Sequence, residues 1–242
     1  MKRIFDLSVS LILTIAVLPI ISIVLFFVWI QDFKNPFYLA PRVSKNGGSF
    51  TMIKVRSMVV NADKNKIDST KSDDPRITKV GRFVRKFKIG ELGQIINVIK
   101  GDMSLVGPRP QVSRDVDLYS DEEKLLLSVK PGITDFASIV FSDEGKILEG
   151  DDDPDLLYNQ IIRPWKSRLC IIYIKNKSLL LDVKLIILTA IVIFSRNFAL
   201  SKIKSIITNL TDDENLIKVA SREIAPFPYP PPGLEEIVTS RN

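Results

Sequence analysis

Histidine is absent from the 242 residues, and cysteine occurs once, as Cys170. Such a chain has no Ser-His or Cys-His nucleophile pair, no imidazole acid–base step and no histidine-held metal. A lone cysteine also excludes an internal disulfide framework and any multi-thiolate metal centre, and it suits a reducing compartment. Chemistry therefore falls to carboxylates, lysine, tyrosine or a metal held by oxygen atoms. A further absence is local: Leu7 to Gln31 carries no charge and is dominated by Leu, Ile, Val and Phe.

What is present is a basic chain of net charge +6, with an apolar fraction of 45% that suits a folded protein. The charge is unevenly spread. Asp143 to Asp155 holds seven acidic residues against Lys146 alone, which leaves +12 on the remainder. Nucleic acid, anionic lipid headgroups and phosphorylated small molecules are the usual partners of such a surface.

The uncharged run is long enough to cross a bilayer core, which takes roughly 20 helical residues. Lys2 and Arg3 precede it and no small-x-small cleavage site follows, so a retained anchor is expected rather than a signal peptide. Basic residues flank both ends: Lys2 and Arg3 before, then Lys34, Arg42, Lys45, Lys54 and Arg56 after. Both flanks are thereby drawn to the cytoplasmic side, which frustrates a straight span. Pro19 lies mid-run and removes a backbone donor, so a helix broken there, dipping into one leaflet and returning, is favoured over a plain spanning helix.

Behind the anchor, Pro36 to Val43 and Phe50 to Val55 read as strands around the Asn46-Gly47-Gly48 turn. Asp63 to Asp74 is polar and reads as a mobile loop. Val80, Phe83, Val84 and Phe87 then recur at helical spacing among Lys79, Arg82, Arg85, Lys86 and Lys88, a basic amphipathic helix suited to a membrane interface. Leu92, Ile95, Ile96 and Ile99 form a second stripe, with Glu91 in the first turn and Gly101 as the stop. Arg109, held between Pro108 and Pro110, has the planar fork and stiff backbone of a phosphate clamp.

The run Arg85 to Pro110 is also recognisable. With Lys54-Val55-Arg56-Ser57-Met58, Asp74-Pro75-Arg76-Ile77-Thr78 and Lys130-Pro131-Gly132-Ile133-Thr134, it resembles the bacterial sugar transferase family, from Lys2 to about Phe194. These are monotopic polyprenyl-phosphate phosphoglycosyl transferases, and the opening Lys2, Arg3 and Asp6 match as well. The resemblance implies transfer of a sugar-1-phosphate from a UDP-sugar to undecaprenyl phosphate with release of UMP, using Mg²⁺. In the family an Asp-Glu pair carries the chemistry, the Asp as nucleophile and the Glu on the metal.

Carried over by residue, the resemblance makes Glu91 the catalytic and metal-binding carboxylate. Lys54, Arg56, Arg85 and Arg109 become the phosphate-binding cations, with Gln94 and Asp102 as polar supports of the site. Positioned cations, a metal and an in-line nucleophile are what phosphoryl transfer chiefly requires. The departures are as informative. Where the family reads Leu-Asp-Glu-Leu-Pro-Gln, this chain reads Ile89-Gly90-Glu91-Leu92-Gly93-Gln94, so the nucleophile position is Gly90. The Ser-Pro of the helix break is Leu18-Pro19, and Gly-x-x-Gln after Pro-Gly-Ile-Thr is Asp135-Phe136-Ala137-Ser138. Three accounts of Gly90 follow: Glu91 attacks in its place, the lipid phosphate attacks directly, or the chain is a non-catalytic membrane-bound homologue.

Leu179 to Phe194 is apolar but broken by Asp182 and Lys184, which suits a core or interfacial helix. Pro226 to Gly233 favours an extended polyproline tail, packed or loose, and Asp151-Asp152-Asp153 reads as a solvated loop. A nucleic-acid binder would explain the charge but not the anchor. The expected fold is a helix-rich α/β monotopic membrane protein. A re-entrant helix occupies 1–35, a catalytic-type domain with interfacial helices and short strands 36–200, and a tail 201–242. Expected partners are a UDP-sugar, polyprenyl phosphate and anionic lipids at the cytoplasmic face of a bacterial inner membrane, with homodimerisation left open.

Overall fold

A computed structural model describes residues 1–62 and 69–240. The apolar run forms α1 (Lys2–Ile30), and its helical backbone continues through Pro19. The expected break at Pro19 is not an interruption of the helix: proline removes one donor and crowds one carbonyl, and the backbone stays helical on both sides. Ser10 and Val24 are buried, yet no residue from Leu11 to Ile23 is. The helix thus meets the body of the protein at both ends and stands free between them.

Each end is fastened by ions. Lys2 Nζ lies 2.6 Å from Asp182, which also accepts from Tyr173 Oη at 2.7 Å. Asp6 accepts from Ser104 Oγ at 2.8 Å, and Arg3 donates to the Val98 and Ile99 carbonyls. At the far end Asp32 takes a two-pronged contact from Arg56, at 2.5 and 2.7 Å. Val24 and Val28 pack there with Val55, Val84 and Ile89 in a small second core.

The predicted hairpin is present as β1 (Phe37–Val43) and β2 (Ser49–Val55), antiparallel, with Tyr38 opposite Lys54. Its turn uses Asn46 at φ 58° and Gly47 at φ 78°, the left-handed region that these residue types tolerate. Next come α2 (Lys79–Lys86), capped by Thr78, a 3-10 turn (Ile89–Gly93) and α3 (Gln94–Lys100). Gly101 ends α3 at φ 97°, the expected stop. The buried side of α3 is Gln94, Ile95, Asn97 and Val98, whereas Ile96 is exposed. That corrects the expected Leu92-Ile95-Ile96-Ile99 stripe: Asn97 is drawn inward because its amide pairs with β2, accepting from Ile53 N and donating to the Thr51 carbonyl.

Two short parallel strands, β3 (Ser104–Val106) and β4 (Gly132–Thr134), flank α4 (Ser113–Val116) in sequence. The remainder is helical: α5 (Phe136–Val140), α6 (Glu144–Ile147), α7 (Pro154–Ile161), α8 (Arg163–Asn176), α9 (Leu179–Phe194), α10 (Arg196–Thr208) and α11 (Glu214–Ala220). The main core gathers Phe136, Ile139, Trp165, Leu169 and Tyr173 with Leu185, Ile203 and Ile207. Truncating a fully buried aromatic such as Trp165 to alanine costs about 3–5 kcal/mol in cores of this kind.

Two expectations change, and the tail, expected packed or loose, is packed. The boundary at residue 200 falls inside α10, and Ile203, Ile207 and Leu216 belong to the main core, so 201–240 is not a detached tail. Its proline-rich segment is packed: Phe227 and Tyr229 sit against Trp165, and the Pro230 carbonyl accepts from Arg168 at 2.8 Å. Of the polar stretch Asp63 to Asp74, residues 63–68 lie outside the described residues. The rest is fastened rather than loose, since Ser69 N donates to Asp155 at 2.7 Å and Ser72 Oγ to Glu149 at 2.7 Å. The acidic run accordingly has structural duties as well, with Asp153 capping α7.

Candidate active site

A cleft of about 1250 Å³ opens between the hairpin, α2 and the 3-10 turn on one side and α6, α7 and α8 on the other. Lys54 enters it from the end of β2 and Arg85 from the last turn of α2. Glu91 enters from the 3-10 turn and Arg109 from the loop after β3. Four residues drawn from four elements, Lys54 to Arg109, are thereby brought together.

Arg109 Nη1 donates to Glu91 Oε1 at 2.8 Å, both side chains being half-buried. Burial pushes the Glu91 carboxyl up, but Arg109, Lys88 and Lys54 outweigh it and hold the group below the usual glutamate range. Arg109 is shifted up, first by Glu91 and against its own burial. Arg85 donates through Nε to Ser57 Oγ at 3.1 Å and makes no ion pair among the described residues. Its burial lowers its affinity for the proton.

Lys54 is perturbed in the opposite direction to Arg109. Burial, then the neighbouring Arg109 and Arg42, press its ammonium well below the ordinary lysine range. Among the described residues it has no hydrogen bond or ion pair. A cleft with surplus, underpaired positive charge is chemically a receptor for phosphate oxygens.

The other expected residues are placed differently. Arg56 is buried and its two terminal nitrogens are engaged by Asp32, with Nη2 also 3.4 Å from the Val28 carbonyl. It fastens α1 at the cleft's edge. Asp102 accepts from Asn97 at 3.1 Å and so braces α3 against β2 from behind the 3-10 turn. Gln94 is fully buried and its amide has no partner among the described residues.

The departures from the family pattern have local consequences. A Cβ on Gly90 would meet Val84 Cγ1 at 3.6 Å and the Val55 carbonyl at 3.8 Å, ordinary contacts, so a side chain has room there. At Gly93 a Cβ would lie 2.9 Å from the Ile53 carbonyl. Glycine at that position lets the 3-10 turn rest directly on β2, where the family's proline would force a shift.

Sequence reading missed the opposite wall. Glu144 of α6 and Lys166 of α8 form an ion pair in the cleft, and Lys166 Nζ lies 5.2 Å from the centre of the Tyr158 ring. Glu144 looked like one more acid in a solvated run, and Lys166 lay in an unremarked helix. Burial pushes Glu144 up, but Lys166, Arg109 and Lys88 bring it below the usual range. Arg109 therefore feels a carboxylate on each side.

Comparison with known proteins adds the following. The family model described as bacterial sugar transferase matches residues 1–196. An undecaprenyl-phosphate galactose phosphotransferase of Salmonella typhimurium is 34% identical over 214 residues, covering 82% of this chain and 41% of that protein. An undecaprenyl-phosphate glucose phosphotransferase of Komagataeibacter xylinus is 35% identical over 204 residues, covering 81% and 36%. The chain thus spans about two fifths of the length of these two relatives. An uncharacterized sugar transferase of Bacillus subtilis, EpsL, is 34% identical over 189 residues, covering 78% of this chain and 85% of its own length.

Proposed function

The chain belongs to the bacterial sugar transferase family, and from that premise we propose that it is a phosphoglycosyl transferase. It moves a sugar-1-phosphate from a UDP-sugar to undecaprenyl phosphate and releases UMP, as a first membrane step of glycan assembly. The observation that carries this reading is the cleft in which Lys54, Arg85 and Arg109 converge beside Glu91. The names of the Salmonella and Komagataeibacter relatives supply the acceptor, and their galactose and glucose supply the class of sugar.

The cations neutralise the donor's diphosphate, and Glu91 keeps the Arg109 guanidinium aimed into the cleft. Gly90 offers no side chain for attack, and Glu91 is held by Arg109, so the acceptor acts directly. An oxygen of the lipid phosphate forms a bond to the sugar-bearing phosphorus. The bond from that phosphorus to the bridging oxygen breaks, and UMP leaves with the electron pair. Positioned charge supplies most of the catalysis in such a displacement.

Mg²⁺ fits this site only with help from substrate. Among the described residues no group of three carboxylate, histidine or cysteine ligands exists. Glu91 Oε1 is taken by Arg109, leaving Oε2. One carboxylate with diphosphate oxygens and water is nevertheless a set that Mg²⁺ accepts. Bound there, the ion would offset phosphate charge.

The membrane arrangement follows from α1. A helix held at both ends by one body, with its apolar middle free, suits insertion into one leaflet from the cytoplasmic face. Exposed Phe83 on α2, Phe87 just after it, and Leu180, Val183 and Ile187 on α9 are suited to the interface with anionic lipids.

Gly90 favours a second reading, a membrane-bound homologue that binds these ligands without turnover. UMP formation separates the two. With purified protein, Mg²⁺, undecaprenyl phosphate and a panel of UDP-sugars, the enzyme releases UMP only when donor and acceptor are both present. No UMP across the panel would leave the binding homologue.

A further inference from the structure

The two walls of the cleft differ in charge balance. One wall has Lys54 and Arg85 without ion pairs among the described residues, and so attracts phosphate. On the other, Glu144 and Lys166 cancel each other, and Gln111 Nε2 reaches Tyr158 Oη at 3.4 Å. Burial raises the Tyr158 hydroxyl's hold on its proton, so it remains a donor at neutral pH. These four side chains are half-buried and line the cleft. A group rich in donors and acceptors, with its Glu144 and Lys166 charges paired and an aromatic ring, matches a neutral hydroxylated ligand.

Arg109 joins the two walls. It is paired with Glu91 at 2.8 Å and is also within the electrostatic reach of Glu144. A sugar-bearing phosphate held by Arg109 would carry its sugar toward Glu144. We propose that Glu144, Lys166, Tyr158 and Gln111 form the donor-sugar subsite and set which hexose is accepted. The inference rests on the reading of the chain as a UDP-sugar-dependent transferase.

In this subsite Glu144 accepts from sugar hydroxyls and Lys166 and Gln111 donate to them. Tyr158 presents its ring edge and hydroxyl. The nucleotide is held elsewhere, by the phosphate-binding cations and not by this group. Affinity for UDP alone is therefore independent of it, while affinity for UDP-hexoses is not.

Equilibrium binding tests this without relying on turnover. UDP, UDP-glucose and UDP-galactose are titrated by calorimetry into full-length protein in lipid nanodiscs, as wild type, Glu144→Gln, Tyr158→Phe and Gln111→Ala. Loss of one good hydrogen bond should weaken the preferred UDP-hexose by about tenfold while leaving UDP unchanged. It should also shift the glucose-to-galactose preference. Tyr158→Phe and Gln111→Ala guard against misfolding of the charge variant, because each removes a neutral group only. Equal weakening of UDP and UDP-hexose would overturn the proposal in favour of a nucleotide site, as would no change in any variant. If wild type binds hexose selectively yet releases no UMP, the transferase reading fails and the subsite stands.

Discussion

Arg109 Nη1 stands 2.8 Å from Glu91 Oε1, tying the Pro108–Pro110 loop to the turn that precedes α3. The pair is half-exposed, so its contribution to stability is modest, about 1 kcal/mol or less once solvent screening is counted. Its value lies in aiming a guanidinium. Arg109→Ala and Glu91→Gln should each lower transfer by about a hundredfold or more while the thermal midpoint moves by only a few degrees. Arg109→Lys should recover little, since a point charge cannot replace the fork. Steady-state kinetics beside thermal unfolding checks this; parallel losses of both would make the pair structural.

Lys54 should take up a proton when phosphate arrives. Burial, Arg109 and Arg42 depress its ammonium in the empty cleft, and a bound anion reverses that balance. Calorimetric titration of UDP across the neutral-to-alkaline range, in buffers of different ionisation heat, should show net proton uptake that grows as the pH rises. Lys54→Gln should abolish most of it. Identical uptake in the variant would assign the titrating group elsewhere.

Gly90→Asp should fold as well as wild type, because its Cβ would meet only Val84 Cγ1 at 3.6 Å and the Val55 carbonyl at 3.8 Å. An acid in the first turn is also favourable to the helix dipole, by a few tenths of a kcal/mol. The new carboxylate restores a nucleophile position, so incubation with UDP-sugar alone should yield a covalent phosphosugar adduct detectable by intact mass. Wild type should show none. An adduct on wild-type protein would point to Glu91 as nucleophile and contradict direct attack by the lipid.

Both ends of α1 should be reachable from one side of the membrane. Ile4 and Phe33 are exposed, and the native Cys170 is buried. Ile4→Cys and Phe33→Cys, examined singly in oriented vesicles, should react with the same impermeant maleimide on the cytoplasmic face. Labelling of the two from opposite faces would make α1 a spanning helix.

Local features were legible in the sequence. The Asn46-Gly47 turn, the stop at Gly101 and the helical period of α2 each depend on a few neighbouring residues, and each is present. Non-local pairings were not. Arg56 read as a phosphate ligand, and its pairing with Asp32, 24 residues earlier, was not visible. Ile96 read as part of an apolar stripe, but it is exposed and Asn97 turns inward to serve β2. Glu144 and Lys166 meet only because α6 and α8 face one cleft, which no short window contains. At Pro19 a local rule predicted a break, and the backbone is helical on both sides of it.

Formation of the lipid product is the most direct measurement. UDP-sugar labelled in the sugar is incubated with Mg²⁺, undecaprenyl phosphate and the protein in nanodiscs, and the organic phase is counted. Transfer of label to the lipid with equimolar UMP, lost in Arg109→Ala, is the predicted result. Label that stays with the nucleotide for every sugar, although UDP binds tightly, would contradict it and leave a binding protein in place of the enzyme.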